Sequence, residues 1–270
     1  MARSEPAEHD LYWGSRPIDL RGRDLPRLKA EFLVNAVPRA GRVLEIGCGG
    51  GRMLQTLAAH RPDLELHGVD IRPLRVPTKA FEFRLVDVAD RRLPFDAGSF
   101  DAVLMFDFLE HLTDPAASVA EAKRILRPGG RLVSFTPLEG KPWSAYRLYR
   151  RLLGDELYVE TKDHRQAFSE ADLDSLIEPE FSIGERRYLY HPLGQLMDAT
   201  LFASLRIPAV RRRYVDENPY YQDDAGGTEG AGLLASLMRF ANLLAYAESR
   251  ARWRSGRGSA GILFWAVPND

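Results

Sequence analysis

The chain is poor in the features that mark secreted, membrane-spanning and nucleic-acid-binding proteins. Its 270 residues include one cysteine, Cys48. No intramolecular disulfide can form, and a reducing, cytoplasmic setting is expected. Lys and Arg number 37 against 38 Asp and Glu, a balance that excludes an overall basic footprint for nucleic acid. No apolar run reaches the roughly 20 residues needed to span a bilayer. The longest, Leu233 to Ala247, is broken by Arg239 and Asn242. Met1 to Asp10 is polar and lacks the apolar centre of a signal peptide. What is left is an ordinary globular composition, long enough to bury a sizeable core in one or two domains.

Against that background one stretch organises the rest. Val43, Leu44 and Ile46 form a short apolar run that meets Gly47, Gly49, Gly50 and Gly51, and helix formers follow from Met53 to Ala59. The pattern predicts a buried parallel strand, a turn that needs positive φ, and a helix whose free N–H groups face a ligand. The dinucleotide fingerprint G-x-G-x-x-G/A requires a small residue at its last position, and Arg52 stands there instead. Leu64 to Val69 reads as the second strand, ending on Asp70, which lies 21 residues after Gly49. An acid at about that interval after a glycine turn accepts bidentately from the two hydroxyls of an adenosine ribose. The bland alternative for Asp70 is a turn cap.

Further units follow in order. Arg72-Pro73 and Pro77 predict a short or irregular helix. Phe81 to Val86 is a third strand ending at Asp87-Val88, Phe100 to Phe106 a fourth, and Leu132 to Phe135 a fifth. A helix opened by Asp114-Pro115 is expected to stop at Pro128-Gly129-Gly130. Ser169 and Asp172 make a capping-box variant. Phe181 to Tyr190 and Ala260 to Val267 read as the last two strands.

Glu45-x-Gly47-x-Gly49-x-Gly51, Leu93-Pro94-Phe95-Asp96 and Arg127-Pro128-Gly129-Gly130 together resemble the class I S-adenosylmethionine-dependent methyltransferases, of the type 11-like, small-molecule branch. The resemblance implies an α/β fold: a doubly wound, mostly parallel, Rossmann-like sheet of seven strands, with the seventh antiparallel to the rest. It implies S-adenosylmethionine as cofactor, held by Glu45, Gly47, Cys48, Gly49, Asp70, Ile71, Asp87, Val88 and Phe106. It further implies an N-terminal cap over residues 1–40, in which Tyr12 or Arg16 would touch the methionine carboxylate. The cofactor-binding core would span 41–190, with its final strand at 260–270. Between them lies a helical insertion over 191–259, in which the segments Leu193 to Leu205 and Leu233 to Arg250 are apolar and Asp223 to Gly230 is a Gly-rich tip.

Ligands of open α/β sheets sit beyond the carboxyl ends of the strands. The segment Asp107 to Asp114 therefore faces the chemistry. His111 in it and His164 further on are the candidate catalytic bases, each with a surface or helix-entry histidine as its alternative. Methyl transfer itself requires no metal, and none is expected. From Arg186 to Arg257 there are eleven arginines, no lysine and seven acids, so the insertion is locally basic. Apolar helices edged with arginine suit a small hydrophobic, anionic or lipid-like acceptor, or a peripheral membrane contact. O- or C-methylation is favoured over N-methylation, because the loop after the fourth strand lacks the Asn/Asp-Pro-Pro-Tyr/Phe segment typical of amino-group methylation. A nicotinamide oxidoreductase, a protein or nucleic-acid methyltransferase, and a cofactor-binding accessory protein without turnover are the rival readings.

Overall fold

Seven strands, most of them separated by helices, form one mixed sheet in a computed structural model of the chain, which describes residues 14–87, 92–154, 164–204, 207–210 and 233–270. The strands are β1 (Gly41–Ile46), β2 (Leu64–Asp70), β3 (Glu82–Leu85), β4 (Phe100–Phe106), β5 (Leu126–Pro137), β6 (Phe181–Leu189) and β7 (Gly261–Pro268). Their order is β3-β2-β1-β4-β5-β7-β6. Strands β1 to β5 are parallel to their neighbours, and β7 runs antiparallel between β5 and β6. This is the class I methyltransferase topology expected from the sequence. The order reverses between β1 and β4, and in such sheets the crevice at that switch point receives the ligand.

Alternation along the strands sends side chains to two apolar layers. On one side, Val43, Ala102, Leu104, Val133 and Phe135 meet helices α1 (Leu25–Ala36) and α2 (Arg52–His60). On the other, Leu44, Ile46, Val103 and Met105 meet α3 (Pro115–Ile125). Helix α1 opens where Asp24 accepts from Arg27 N–H and Pro26 occupies the first turn. It buries Leu25, Leu28, Phe32, Leu33 and, among these apolar residues, Lys29. Helix α3 opens on Asp114, whose side chain accepts from Ala117 N–H.

After β5 come α4 (Ala145–Leu153) and α5 (Glu170–Ile177). Ser169 and Asp172 form the expected capping box at the start of α5. The two inserted helices are α6 (Pro192–Ser204) and α7 (Leu233–Ala251). They pack on the body through α1 and α4. Arg250 pairs with Glu31 at 2.8 Å, and the Tyr146 hydroxyl donates to Asp198 at 2.5 Å. The Gln195 side chain donates to Tyr190 O and Gly258 O, both at 2.8 Å, and accepts from Ala145 N–H. Asp223 to Gly230 and the arginines Arg206, Arg211, Arg212 and Arg213 lie outside the described residues.

Two expectations change. No helix forms between β2 and β3; residues 71–81 run as bends and irregular backbone, because Pro73 and Pro77 remove two N–H donors that a helix would need. Pro128-Gly129-Gly130 also does not separate α3 from a strand starting at Leu132. Strand β5 starts at once on Leu126, which pairs with Phe100, and the next pair is Ala102 with Arg131. Residues 127–130 bulge from the ladder. Pro128 has no N–H to give it, and Gly129 takes φ +76° at no steric cost.

Candidate active site

The crevice is built first from the glycine turn. Gly47, Gly49 and Gly51 all have positive φ, at 73°, 52° and 83°. A side chain at position 47 would also place its Cβ at 2.4 Å from the Phe108 ring. Gly47 and Cys48 N–H both donate to Val69 O, at 2.9 and 3.1 Å, which ties the turn to β2. Asp70 completes the tie: its Oδ2 accepts from Gly49 N–H at 2.8 Å and its Oδ1 from Arg72 N–H at 2.9 Å. Each oxygen keeps a second lone pair for a ligand.

Glu45 stands under this turn. Helix α2 begins on Gly51 with no side-chain cap, and the buried Glu45 carboxyl accepts from Leu54 N–H in its place, as an acid at a helix N-terminus should. Burial pushes the Glu45 carboxyl well up, and the charges of Asp70 and Asp107 push it further. Its Oε2 has no hydrogen-bond partner among the described residues. A carboxyl raised on folding stabilises fully below its unfolded value, near 4.5, and loses that contribution as pH climbs through the folded value. Glu45→Gln keeps an acceptor for Leu54 and removes the titration. Calorimetric melting of both proteins from pH 4 to 9 should show the variant gaining on the parent as pH rises.

The second group lies at the end of β4. Asp107 takes a left-handed φ of 47° and binds the Lys29 ammonium at 2.8 and 3.1 Å. The ammonium itself sits 3.5 Å over the Phe135 ring. The N-terminal helix thus reaches into the crevice with a buried charge.

The third group is the short helical turn Leu109–His111 and what packs on it. Glu110 is fully buried, and neither carboxylate oxygen has a hydrogen-bond partner among the described residues. Burial, with the nearby charges of Asp107 and Glu139, pushes its carboxyl well up. The Glu110 carbonyl accepts from Arg165 N–H at 2.8 Å and Gln166 N–H at 2.9 Å, and this brings the chain at 164–166 against the turn. His164 and His111 consequently stack edge to face, 5.1 Å between ring centroids. His164 Nδ1 donates to the buried Glu139 at 2.8 Å.

The two histidines singled out by sequence are therefore neighbours. Gly47, Gly49, Glu45 and Asp70 also converge. Ile71 is half-exposed beside Asp70 and Asp87 is half-buried, whereas Val88 and Tyr12 lie outside the described residues. The Cys48 thiol turns inward: a Cβ on Gly68 would approach its Sγ to 2.8 Å. A ligand could meet Cys48 through its backbone alone. Phe106 is buried in the layer shared with α1 and α2. Arg16 Nη1 is buried with no hydrogen-bond partner among the described residues. Sequence reasoning missed Lys29, Asp107, Glu110 and Glu139. Lys29 had a signal, being a charge in the buried stripe 25-28-29-32-33-36.

The comparisons fit this geometry. Residues 44–134 match the family model described as a methyltransferase domain. Residues 44–134 are thus a methyltransferase domain, of the class I, S-adenosylmethionine-dependent kind. The ubiquinone biosynthesis O-methyltransferase of Xanthomonas axonopodis pv. citri is 34% identical over 104 residues, 35% of this chain and 42% of that one. The protein of the same name from Alkalilimnicola ehrlichii is 31% identical over 170 residues, 57% of this chain and 66% of that one. The chain thus spans less than two thirds of the length of these relatives. Among solved structures, the [4+2]-cyclase SpnF superposes with a TM-score of 0.56 at 16% identity, over 95% of this chain and 86% of that one, a likeness of fold. Among the described residues, no helix is long and apolar enough to cross a membrane.

Proposed function

We propose that this protein transfers the methyl group of S-adenosylmethionine to an oxygen or carbon of a small hydrophobic or anionic molecule. The observation that carries this reading is the meeting of two groups at one end of the sheet. One is the glycine turn with Asp70 fixed on Gly49 N–H, and the other is the His111–His164 pair beyond β4. The name shared by the relatives, ubiquinone biosynthesis O-methyltransferase, favours oxygen as the acceptor atom.

The residues suit the cofactor on chemical grounds. Asp70 offers a carboxylate to a ribose diol. Ile71 offers an apolar face for adenine, with Asp87 alongside. The backbone of Gly47, Cys48 and Gly49 approaches the methionine portion, and Phe106 closes the floor. The unpartnered Arg16 Nη1 suits a carboxylate. Asp70 and Asp107, whose charges both reach Glu45, favour a ligand bearing positive charge. S-adenosylmethionine supplies an electrophilic methyl carbon for an in-line displacement. The protein's part is to hold the acceptor in line, and such positioning lowers a barrier by about 7–11 kcal/mol. An imidazole of the His111–His164 pair takes up the acceptor proton, and Glu139 on His164 Nδ1 stabilises the charge so formed.

The insertion, with α4 beside it, supplies the acceptor side. Leu148 and Leu152 on α4, Leu193 and Leu196 on α6, and Phe240 and Leu244 on α7 are exposed. Arg147, Arg151, Arg250 and Arg254 are exposed on or beside the same helices. An apolar surface edged by cations fits an amphiphilic or anionic acceptor, delivered from solution or from a membrane surface.

The test is calorimetric titration with S-adenosylmethionine and with NAD, followed by S-adenosylhomocysteine release over a panel of phenols, hydroxy acids and apolar hydroxylated rings. Binding of S-adenosylmethionine alone and turnover of a panel member are expected. His111→Ala or His164→Ala should slow turnover with cofactor affinity kept. Preference for NAD overturns the reading. Binding without turnover of small molecules shifts it to an accessory protein or a macromolecular acceptor. Sedimentation with anionic vesicles at low salt decides the route: protein left in the supernatant removes the membrane.

A further inference from the structure

We propose that Glu45 reads the charge on the cofactor's sulfur. Its carboxyl gives up a proton when the crevice takes in the sulfonium cation and takes one back when the sulfur is left neutral. Given the function proposed above, on which this rests, Glu45 is the residue that makes the protein prefer S-adenosylmethionine to S-adenosylhomocysteine.

Glu45 is the next-to-last residue of β1, and its register partners are Gly68 on β2 and Leu104 on β4. It therefore stands at the switch point, where the strand order reverses and ligands of such sheets bind. The residue is 3% exposed. Its carboxyl accepts from Leu54 N–H at the start of α2, and Oε2 has no hydrogen-bond partner among the described residues. A buried carboxylate is ordinarily satisfied by a cation or by several donors. The two charges that act on Glu45, those of Asp70 and Asp107, are both negative.

The other titratable groups nearby do not reverse that balance. Burial and the charges of Glu45 and Asp70 keep the Cys48 thiol protonated. Lys29 of α1 is bound to Asp107 at 2.8 and 3.1 Å. Arg52, which opens α2, acts on Asp24 at the cap of α1.

Without a cation beside it, an ionised Glu45 sets a third negative charge next to two others in a poorly hydrated place, and the protonated form is favoured. Asp70 ends β2 and Asp107 follows β4. The crevice lies between two acids that both act on Glu45, so a cation placed there is within range of all three. Such a cation favours the ionised carboxyl, whose proton passes to solvent. By linkage, the cation binds more tightly as pH rises through the range in which Glu45 of the free protein titrates. A neutral thioether gives the third negative charge no partner. A proton then returns from solvent to Glu45, and the spent cofactor is held less strongly than the fresh one.

The experiment is calorimetric titration of the full chain with S-adenosylmethionine and with S-adenosylhomocysteine, in two buffers of different ionisation enthalpy. It runs from about pH 5 to 7, below the range in which the ligands' own α-ammonium groups titrate. The difference between buffers counts the protons released. With the parent, S-adenosylmethionine should release up to about one proton and gain up to about tenfold in affinity per pH unit. S-adenosylhomocysteine should release close to none and keep a nearly constant affinity. Glu45→Gln keeps an acceptor for Leu54 N–H and holds the side chain neutral. It should bind S-adenosylhomocysteine as the parent does, release no proton with either ligand, and lose about tenfold of the preference for S-adenosylmethionine near pH 7. The parent by itself gives a second test, because its preference must widen as pH rises. A preference that is the same at both ends of the range, or equal proton counts for the parent and Glu45→Gln, overturns the proposal and leaves the methyl-transfer reading standing. No binding of S-adenosylmethionine at any pH removes that reading, and the role of Glu45 with it.

Discussion

Lys29→Ala should cost the folded protein about 3–5 kcal/mol, the usual penalty for stranding one charge of a buried pair. The side chains of Lys29 and Asp107 are only 5% and 18% exposed, so solvent screens the pair weakly. The expected value sits toward the lower end of the range, because Asp107 retains some water. A loss of that size lowers the melting temperature of a chain of this length by about 6–12 °C. Part of the loss is packing, since the ammonium covers the Phe135 ring and its stem lies among apolar residues of α1. Lys29→Met retains most of that packing and isolates the charge. Lys29→Met with Asp107→Asn should then recover much of the stability, because both charges are gone and Asn tolerates the positive φ at position 107. Urea unfolding of the four proteins measures each step. A Lys29→Met loss below about 0.5 kcal/mol, the scale of an ordinary surface change, would show that the pair is solvated and that α1 does not anchor the crevice.

Asp70→Ala should weaken S-adenosylmethionine by about tenfold to a hundredfold, the equivalent of roughly 1.5–3 kcal/mol for lost hydrogen bonds to a charged group. Two causes act together. The ribose hydroxyls lose their acceptor, and Gly49 and Arg72 N–H lose the carboxylate that fixes them. Asp70→Asn distinguishes these, since its amide oxygen can still accept from Gly49 N–H. If the loop tie dominates, Asn recovers most of the affinity in a calorimetric titration. If the ribose contact dominates, Asn stays near Ala. Unchanged affinity in Asp70→Ala would remove Asp70 from the cofactor site altogether.

The strand frame was legible because its signals are local. Apolar runs bounded by glycine, proline or an acid at 43–46, 64–70 and 100–106 needed no tertiary knowledge, and the fourth strand occupies Phe100–Phe106 as read. The bulge at 127–130 was less legible: Pro-Gly-Gly stops a helix and also breaks a ladder, and only the pairing partner β4 selects the second outcome. The charged half of the crevice was least legible. Lys29 and Asp107 are 78 positions apart, and Glu110 meets the segment after His164 through its own carbonyl. Buried charges look like solvated ones in a sequence until the contact that buries them is seen. His111 and His164 were each found separately, by type and position; their adjacency was not.

The placement of β7 has a consequence for how the insertion can vary. The chain leaves the sheet after Leu189 and returns at Gly261, and these two residues are directly paired partners. Whatever lies between them begins and ends at one fixed doorway. Doubling the length of a closed segment adds only about 0.6 kcal/mol of closure entropy. The constraint on its size comes instead from the surfaces it covers on α1 and α4, through Glu31 and Tyr146. The segment is in effect an exchangeable cassette, fitted into a β-hairpin at the opposite end of the sheet from the β3 edge. On the acceptor role proposed above, its helices can be recast for a different guest while the grip of Asp70 on the glycine turn stays as it is.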